Sequence, residues 1–156
     1  ALEFGKDYAS QTIKNAKALA VALNDLGFKV LGEKKGFTQS HQTVVNVLDY
    51  GDGGKIEADL EKANIIVNRQ LIPGDIKAKR HYMHPGGIRL GTSEVTRLGM
   101  KESEMGQIAS FIKSVIVDNK DTKDIAKQIA EFRKTYQKTQ YCFDNKLGAY
   151  EYVKLR

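Results

Sequence analysis

The chain has 156 residues, 41% of them apolar, with a formal charge of +6 and a pI near 9.3. That length suits a single domain with its own core, since roughly 70% of the unfolded surface can be buried at this size. No long apolar run and no signal-type segment occur, and Cys142 is the single cysteine, which excludes a membrane span and an internal disulfide and makes a reducing cytoplasmic setting the expectation.

Residues 1–26 read as one helix, because Ile13, Ala16, Leu19, Ala20, Leu23 and Leu26 recur at three- and four-residue intervals and Gly27 supplies the stop. It opens almost at residue 1 without an initiator methionine, the pattern of a piece of something longer or of a cloned domain boundary. Residues 28–33 and 42–49 are strand-like in their β-branched content, joined by a polar loop over 34–41. A helix follows. Gly51-Asp52-Gly53-Gly54 opens it, Ile56, Leu60 and Ala63 form its stripe, and residues 65–72 are predicted as a buried strand ended by Pro73-Gly74-Asp75. Gly53-Gly54-Lys55 is not a phosphate loop, since the preceding glycine spacing and the following Ser or Thr are missing.

Next comes the most informative stretch, Gly86-Gly87-Ile88-Arg89-Leu90-Gly91, a glycine-bounded strand with one arginine. Ile88 and Leu90 alternate with Arg89, so an extended backbone turns the two aliphatics to a core and the guanidinium to the opposite face. Gly86, Gly87 and Gly91 are expected to leave that face bare. A planar guanidinium can then grip a small carboxylate or phosphate through two parallel hydrogen bonds, which lysine cannot copy. The competing reading is an arginine paired with a local acid.

Between positions 77 and 101 six basic residues (Lys77, Lys79, Arg80, Arg89, Arg97, Lys101) face one acid (Glu94), a local balance of +5. A nucleic-acid surface would spread such charge along a helix or interleave aromatics, so a small anionic ligand fits better and no nucleic-acid partner is expected. A solvated basic loop is the alternative. The histidines His41, His81 and His84, with one cysteine, fall short of the four ligands a structural zinc wants, and no metal site is expected.

Two amphipathic helices end the pattern: residues 101–118 carry Met105, Ile108, Ala109, Ile112, Val115 and Ile116, and residues 121–138 carry Ile125, Ile129, Phe132 and Tyr136. Asp121 and Asp124 suit the start of the second. The tail, 140–156, holds Tyr141, Phe143, Tyr150 and Tyr152, rings expected to dock on this domain or on a neighbour. No nucleophile elbow and no credible pair of catalytic carboxylates occurs, so an anion clamp stands here without a reactive group.

Gly87-Ile88-Arg89-Leu90-Gly91-Thr92, followed by Val95-Thr96 and Gly99, closely resembles the C-terminal small domain of serine hydroxymethyltransferase. The similarity also takes in Lys14-Asn15-Ala16-Lys17-Ala18-Leu19, Gly27-Phe28-Lys29-Val30, positions 38–41, Gly54-Lys55, Ala63-Asn64-Ile65, Val67-Asn68 and Lys101-Glu102, most of residues 8–117 in the family's order.

The resemblance implies a pyridoxal-phosphate enzyme of the aspartate-aminotransferase fold (fold type I), interconverting serine and glycine with a one-carbon unit passed to tetrahydrofolate or a modified pterin. This chain would be its α/β small domain, a small, mainly antiparallel sheet covered by helices. It implies a connecting helix over 1–26, the small domain over 27–139, the aromatic tail over 140–156, and a large, lysine-bearing cofactor domain absent from this sequence. By the same resemblance Arg89 binds the substrate's carboxylate, Asn68 and Gln70 lie on the carrier side, the full-length protein is a homodimer, and this fragment alone is inactive.

Departures from the family pattern fall near those positions. Its Thr-Asp-Asn-His loop reads Thr38-Gln39-Ser40-His41, its Gly-Thr-Pro-Ala reads Gly91-Thr92-Ser93-Glu94, Leu98 replaces an arginine, and Asn-Lys-Asn, whose last asparagine touches the pterin, becomes Asn68-Arg69-Gln70. Together these are similar to the archaeal branch, where modified pterins can replace folate. A free-standing module that binds an amino acid or another anion through Arg89 is the alternative.

Overall fold

In the computed structural model, residues 4–140 are described. The elements in chain order are α1 (Gly5–Asp25), β1 (Lys29–Val30), a 3-10 turn (Glu33–Lys35), β2 (Gln42–Asn46), α2 (Gly53–Lys62), β3 (Asn68–Gln70), β4 (Gly87–Gly91), α3 (Ser93–Arg97), α4 (Glu102–Ile116) and α5 (Thr122–Arg133). The strands form one sheet in the order β1-β2-β4-β3, and every neighbouring pair is antiparallel. Period-2 alternation divides its two faces. Thr43 and Val45 of β2 and Ile88 and Leu90 of β4 are buried on the helix side with Leu23, Ile56, Leu60, Met105 and Ile112. Fully burying each of those aliphatic side chains contributes about 1.5–3 kcal/mol, so the helical layer and one sheet face carry the stability. None of the helices among the described residues is long and apolar enough to cross a membrane.

Several elements are shorter than their sequence patterns. The strand expected over 28–33 stops at Val30, because the chain turns through Gly32 at φ 83°, a left-handed conformation that suits glycine and ends extended pairing. The buried strand expected over 65–72 is only the edge strand β3, with Ile66 77% exposed. Apolar runs cannot by themselves tell a core strand from an edge segment. The last helix ends at Arg133 rather than 138, although Phe132 and Tyr136 still pack on the core. Helix α3, five residues long, has no apolar periodicity of its own to mark it in the sequence.

Helix α1 departs most from its pattern. Ile13 is 37% exposed, while Gln11, Thr12 and Asn15 are buried. These polar groups are satisfied inside. Asn15 donates to the Thr96 hydroxyl and the Met100 carbonyl, both at 2.8 Å, and accepts from Gln11 at 2.9 Å. Thr92 Oγ1 donates to the Thr12 carbonyl at 2.9 Å and Thr96 Oγ1 to the Thr92 carbonyl at 2.7 Å. The network ties α1 to the segment that leaves β4.

Helix α2 starts as its sequence requires. Asp52 accepts the amides of Gly54 at 2.8 Å and Lys55 at 2.9 Å, satisfying two of the free donors of the first turn. The Lys55 amide, joined by His84 and the Gly54 amide and opposed by burial, holds this carboxyl below its usual range. Because its folded pKa is depressed, Asp52 stabilises the fold above the unfolded carboxylate value near 4, and that contribution is lost as pH falls through the lower folded value. Asp52→Ala is expected to cost about 1 kcal/mol at neutral pH. Asp52→Asn, which still caps, is expected to flatten the stability profile between about pH 5 and 2, as read by urea denaturation across that window. An unchanged acid limb would remove this carboxylate from the linkage.

Candidate functional site

The second face of the sheet is the candidate site. Residues directly opposite one another in antiparallel strands share a face, and Arg89 lies opposite Val44 on one side and Asn68 on the other, while Gly87 lies opposite Asn46 and Gln70. The three positions singled out in the sequence, Arg89, Asn68 and Gln70, therefore meet on one surface. Arg89 is half-buried on an inner strand, and the two amides stand on the edge strand. Arg69, between them in sequence, points to the helix side and forms an ion pair with Glu57 of α2, its backbone amide donating to the same carboxylate at 3.1 Å.

The polar contacts of Arg89 are weak. Nη1 donates to Gln70 Oε1 at 3.5 Å and Nη2 to Asn68 Oδ1 at 3.4 Å, both at the long limit for a hydrogen bond. Among the described residues no carboxylate lies within ion-pair distance of this guanidinium, so the reading of Arg89 as half of a local salt bridge is not met. Two neutral amide oxygens orient the group without neutralising it. A planar, loosely held cation on an open face is matched to a carboxylate of a small molecule, which would gain two charge-assisted bonds.

Other basic residues of the stretch are placed differently. Arg80 pairs with Asp75 at 3.4 Å and Arg97 approaches Glu94 at 3.9 Å, so the local excess of charge is partly spent within the fold. The expectation that Gly86 and Gly87 bare the face around Arg89 is corrected. A Cβ on Gly86 would sit 2.7 Å from Asp75 Oδ1 and 2.9 Å from Ile72, and one on Gly87 would sit 2.4 Å from Ile72 Cγ2. Both are small because Ile72 and Asp75 close over them. Of the three glycines around Arg89, only Gly91 has open space.

Asp75 is the member that the sequence reading missed as more than a turn residue. It is 2% exposed, and its Oδ2 accepts the amides of Ile72 at 2.9 Å and Gly86 at 2.7 Å. Its one available signal was an acid beside Pro73-Gly74, a pattern that serves any turn. Among the described residues no group of three His, Cys, Asp or Glu side chains gathers to hold a metal. The tail rings Tyr141, Phe143, Tyr150 and Tyr152, and Cys142, lie outside the described residues.

An antiparallel four-stranded sheet with helices on one face and a polar arginine-centred surface on the other makes this a small α/β domain. A solved structure, the L-threonine transaldolase of Pseudomonas fluorescens, superposes with a TM-score of 0.78 at 36% identity, over 94% of this chain and 32% of that one. The family model described as serine hydroxymethyltransferase matches residues 2–112, and the chain belongs to that pyridoxal-phosphate-dependent transferase family. Curated serine hydroxymethyltransferases from the archaea Nitrosopumilus maritimus and Cenarchaeum symbiosum are 74% and 69% identical over all 156 residues, and one from Methanothermobacter marburgensis is 47% identical over 154. The chain spans about a third of the length of these relatives, 36%, 35% and 35% respectively.

Proposed function

We propose that the full-length protein carrying this domain interconverts serine and glycine and passes the one-carbon unit to tetrahydrofolate or a modified pterin, with Arg89 binding the amino acid's carboxylate. Family membership supports the reaction, and the observation that carries the residue assignment is the guanidinium of Arg89, held by two neutral amides and by no acid among the described residues. Pyridoxal phosphate would supply the electron sink for breaking bonds at the amino acid's α-carbon. The start of α2 does not fit the cofactor's own phosphate. Asp52 already occupies the start of α2, where free amides would otherwise attract an anion. This chain's part in the reaction is thus to fix the substrate's carboxylate, and the reactive lysine is proposed to lie in the two-thirds of the relatives' length that this sequence does not span. A homodimer in the cytoplasm belongs to the same proposal. The test is turnover of serine by the full-length, cofactor-loaded protein with each carrier.

Asn68 and Gln70 form the carrier side of this proposal. Their edge strand lies beside Arg89, so a carrier reaching the same amino acid would pass these amides. Gln70→Asn is expected to change the ratio of tetrahydrofolate to modified-pterin use while the affinity for glycine stays within about twofold, because the contact between Gln70 and Arg89 is long and weak. Steady-state rates with both carriers on both proteins read this directly. An identical carrier ratio would remove Gln70 from the site.

A further inference from the structure

We propose that Asp75 is a positioning residue that locks the register between β3 and β4 and so sets the geometry of Arg89 against Asn68 and Gln70; this rests on the proposed role of Arg89. The strand β3 has three residues, pairs only with β4 and lies at the sheet edge. A pair this short specifies its register weakly, and a slip by one residue would turn Asn68 and Gln70 to the helix side and put Arg69 beside Arg89. The two strands are joined by the long connection 71–86, which by its length imposes no register. Something else must fix it.

The buried carboxylate of Asp75 does so at the end where that connection begins and returns. One oxygen, Oδ2, takes the amide of Ile72, two residues beyond Gln70, and the amide of Gly86, one residue before β4. Ile72 and Gly86 are thereby held side by side just beyond the Gln70 and Gly87 pair. The Gly86 carbonyl in turn accepts the Val47 amide at 2.9 Å, which continues the β2 and β4 ladder outward. Ile72 packs onto Gly86 and Gly87 in the space that a side chain would fill. Arg80 Nε approaches the other oxygen at 3.4 Å, and its amide donates to the Asp75 carbonyl at 2.9 Å, so the middle of the connection is gathered onto the same residue. The three residues of β3 contribute nothing to the apolar core, while the buried Val67 before it, the buried Ile72 after it and the Arg69–Glu57 pair add their own resistance to a slip. The Asp75 carboxylate acts most directly, because its one oxygen joins an amide from each side of the β3 and β4 pair.

The experiment uses the full-length, cofactor-loaded protein with Asp75→Ala, Asp75→Asn, Arg89→Lys and the Asp75→Ala/Arg89→Lys double variant, reading KM for serine, kcat, cofactor content and melting temperature. Asp75→Ala removes the oxygen that joins the two amides and is expected to raise KM about tenfold while kcat and cofactor content stay within about twofold, as a misplaced guanidinium weakens the grip without touching the chemistry. Asp75→Asn keeps an oxygen that accepts both amides and is expected to hold KM within about threefold of wild type. On the Arg89→Lys background Asp75→Ala is expected to add less than about twofold, since the paired grip is already gone. An unchanged KM for Asp75→Ala beside an impaired Arg89→Lys overturns the register lock alone, as does an equal rise on both backgrounds or an Asp75→Asn as impaired as Asp75→Ala. An unimpaired Arg89→Lys overturns the carboxylate assignment itself, and the register lock with it. Should Asp75→Ala not fold, Asp75→Ser carries the test: its hydroxyl is too short to join both amides, so KM is expected to rise about tenfold at unchanged kcat, and an unchanged KM overturns the proposal.

Discussion

Arg89→Ala in the full-length protein is expected to weaken glycine and serine binding by about a hundredfold or more, with cofactor content unchanged. Each charge-assisted hydrogen bond from the guanidinium to a carboxylate is worth about 1.5–3 kcal/mol, and losing a bidentate pair removes both together with their geometry. Asn68 and Gln70 cannot substitute, because their amide N–H groups are neutral donors and supply neither the charge nor the planar fork. Arg89→Lys keeps a charge but not the planar fork, and is expected to lose about tenfold. Equilibrium titration with glycine, followed in the cofactor's absorbance, measures both. Equal affinities in wild type and both variants would show that Arg89 serves the fold.

The largest effect on stability is expected at Asn15. This side chain is fully buried in α1, donates to Thr96 and Met100 and accepts from Gln11, which also reaches Glu102 at 2.7 Å. Asn15→Ala removes one partner from each of three groups and opens a small cavity, which together cost about 3 kcal/mol. That corresponds to a melting temperature lower by about 10 °C for a chain of this size. Thermal unfolding of the 156-residue chain gives the value, and a drop under about 1 kcal/mol would mean that the neighbouring groups find other partners. Asn15→Leu is expected to be no better, because Met100's carbonyl and Thr96's hydroxyl would then face an apolar side chain.

Asn15 also marks what the sequence could not reveal. Periodicity located α1, α2, α4 and α5 and the strands β2 and β4, since apolar positions make up most of each buried face. It failed where burial is polar: the stripe through Ile13 gave way to one through Thr12 and Asn15, because partners 81 and 85 residues away repay their desolvation. The segment at 65–72 misled for the opposite reason, an apolar run whose central residue Ile66 stands in solvent. At the site, Arg89 was legible from its glycine-flanked alternation with Ile88 and Leu90. Its nearness to Asn68 and Gln70 was not, because alternation tells which face a side chain takes and nothing of which strand lies beside it. The glycines were misread in the same way: a missing Cβ signals close approach, and only the fold shows that Ile72 and Asp75 do the approaching.

Strand order gives the two halves of this surface unequal freedom to change. Arg89 belongs to β4, flanked by a strand on both sides, so alterations around it disturb two ladders and the core beneath Ile88 and Leu90. Asn68 and Gln70 belong to the margin, where a substitution disturbs one ladder and otherwise meets water. Over generations the marginal pair can drift toward a new chemistry at little structural risk, while the inner arginine stays. On the roles proposed for them, a lineage can in this way exchange one co-substrate for another without relearning how to hold an amino acid.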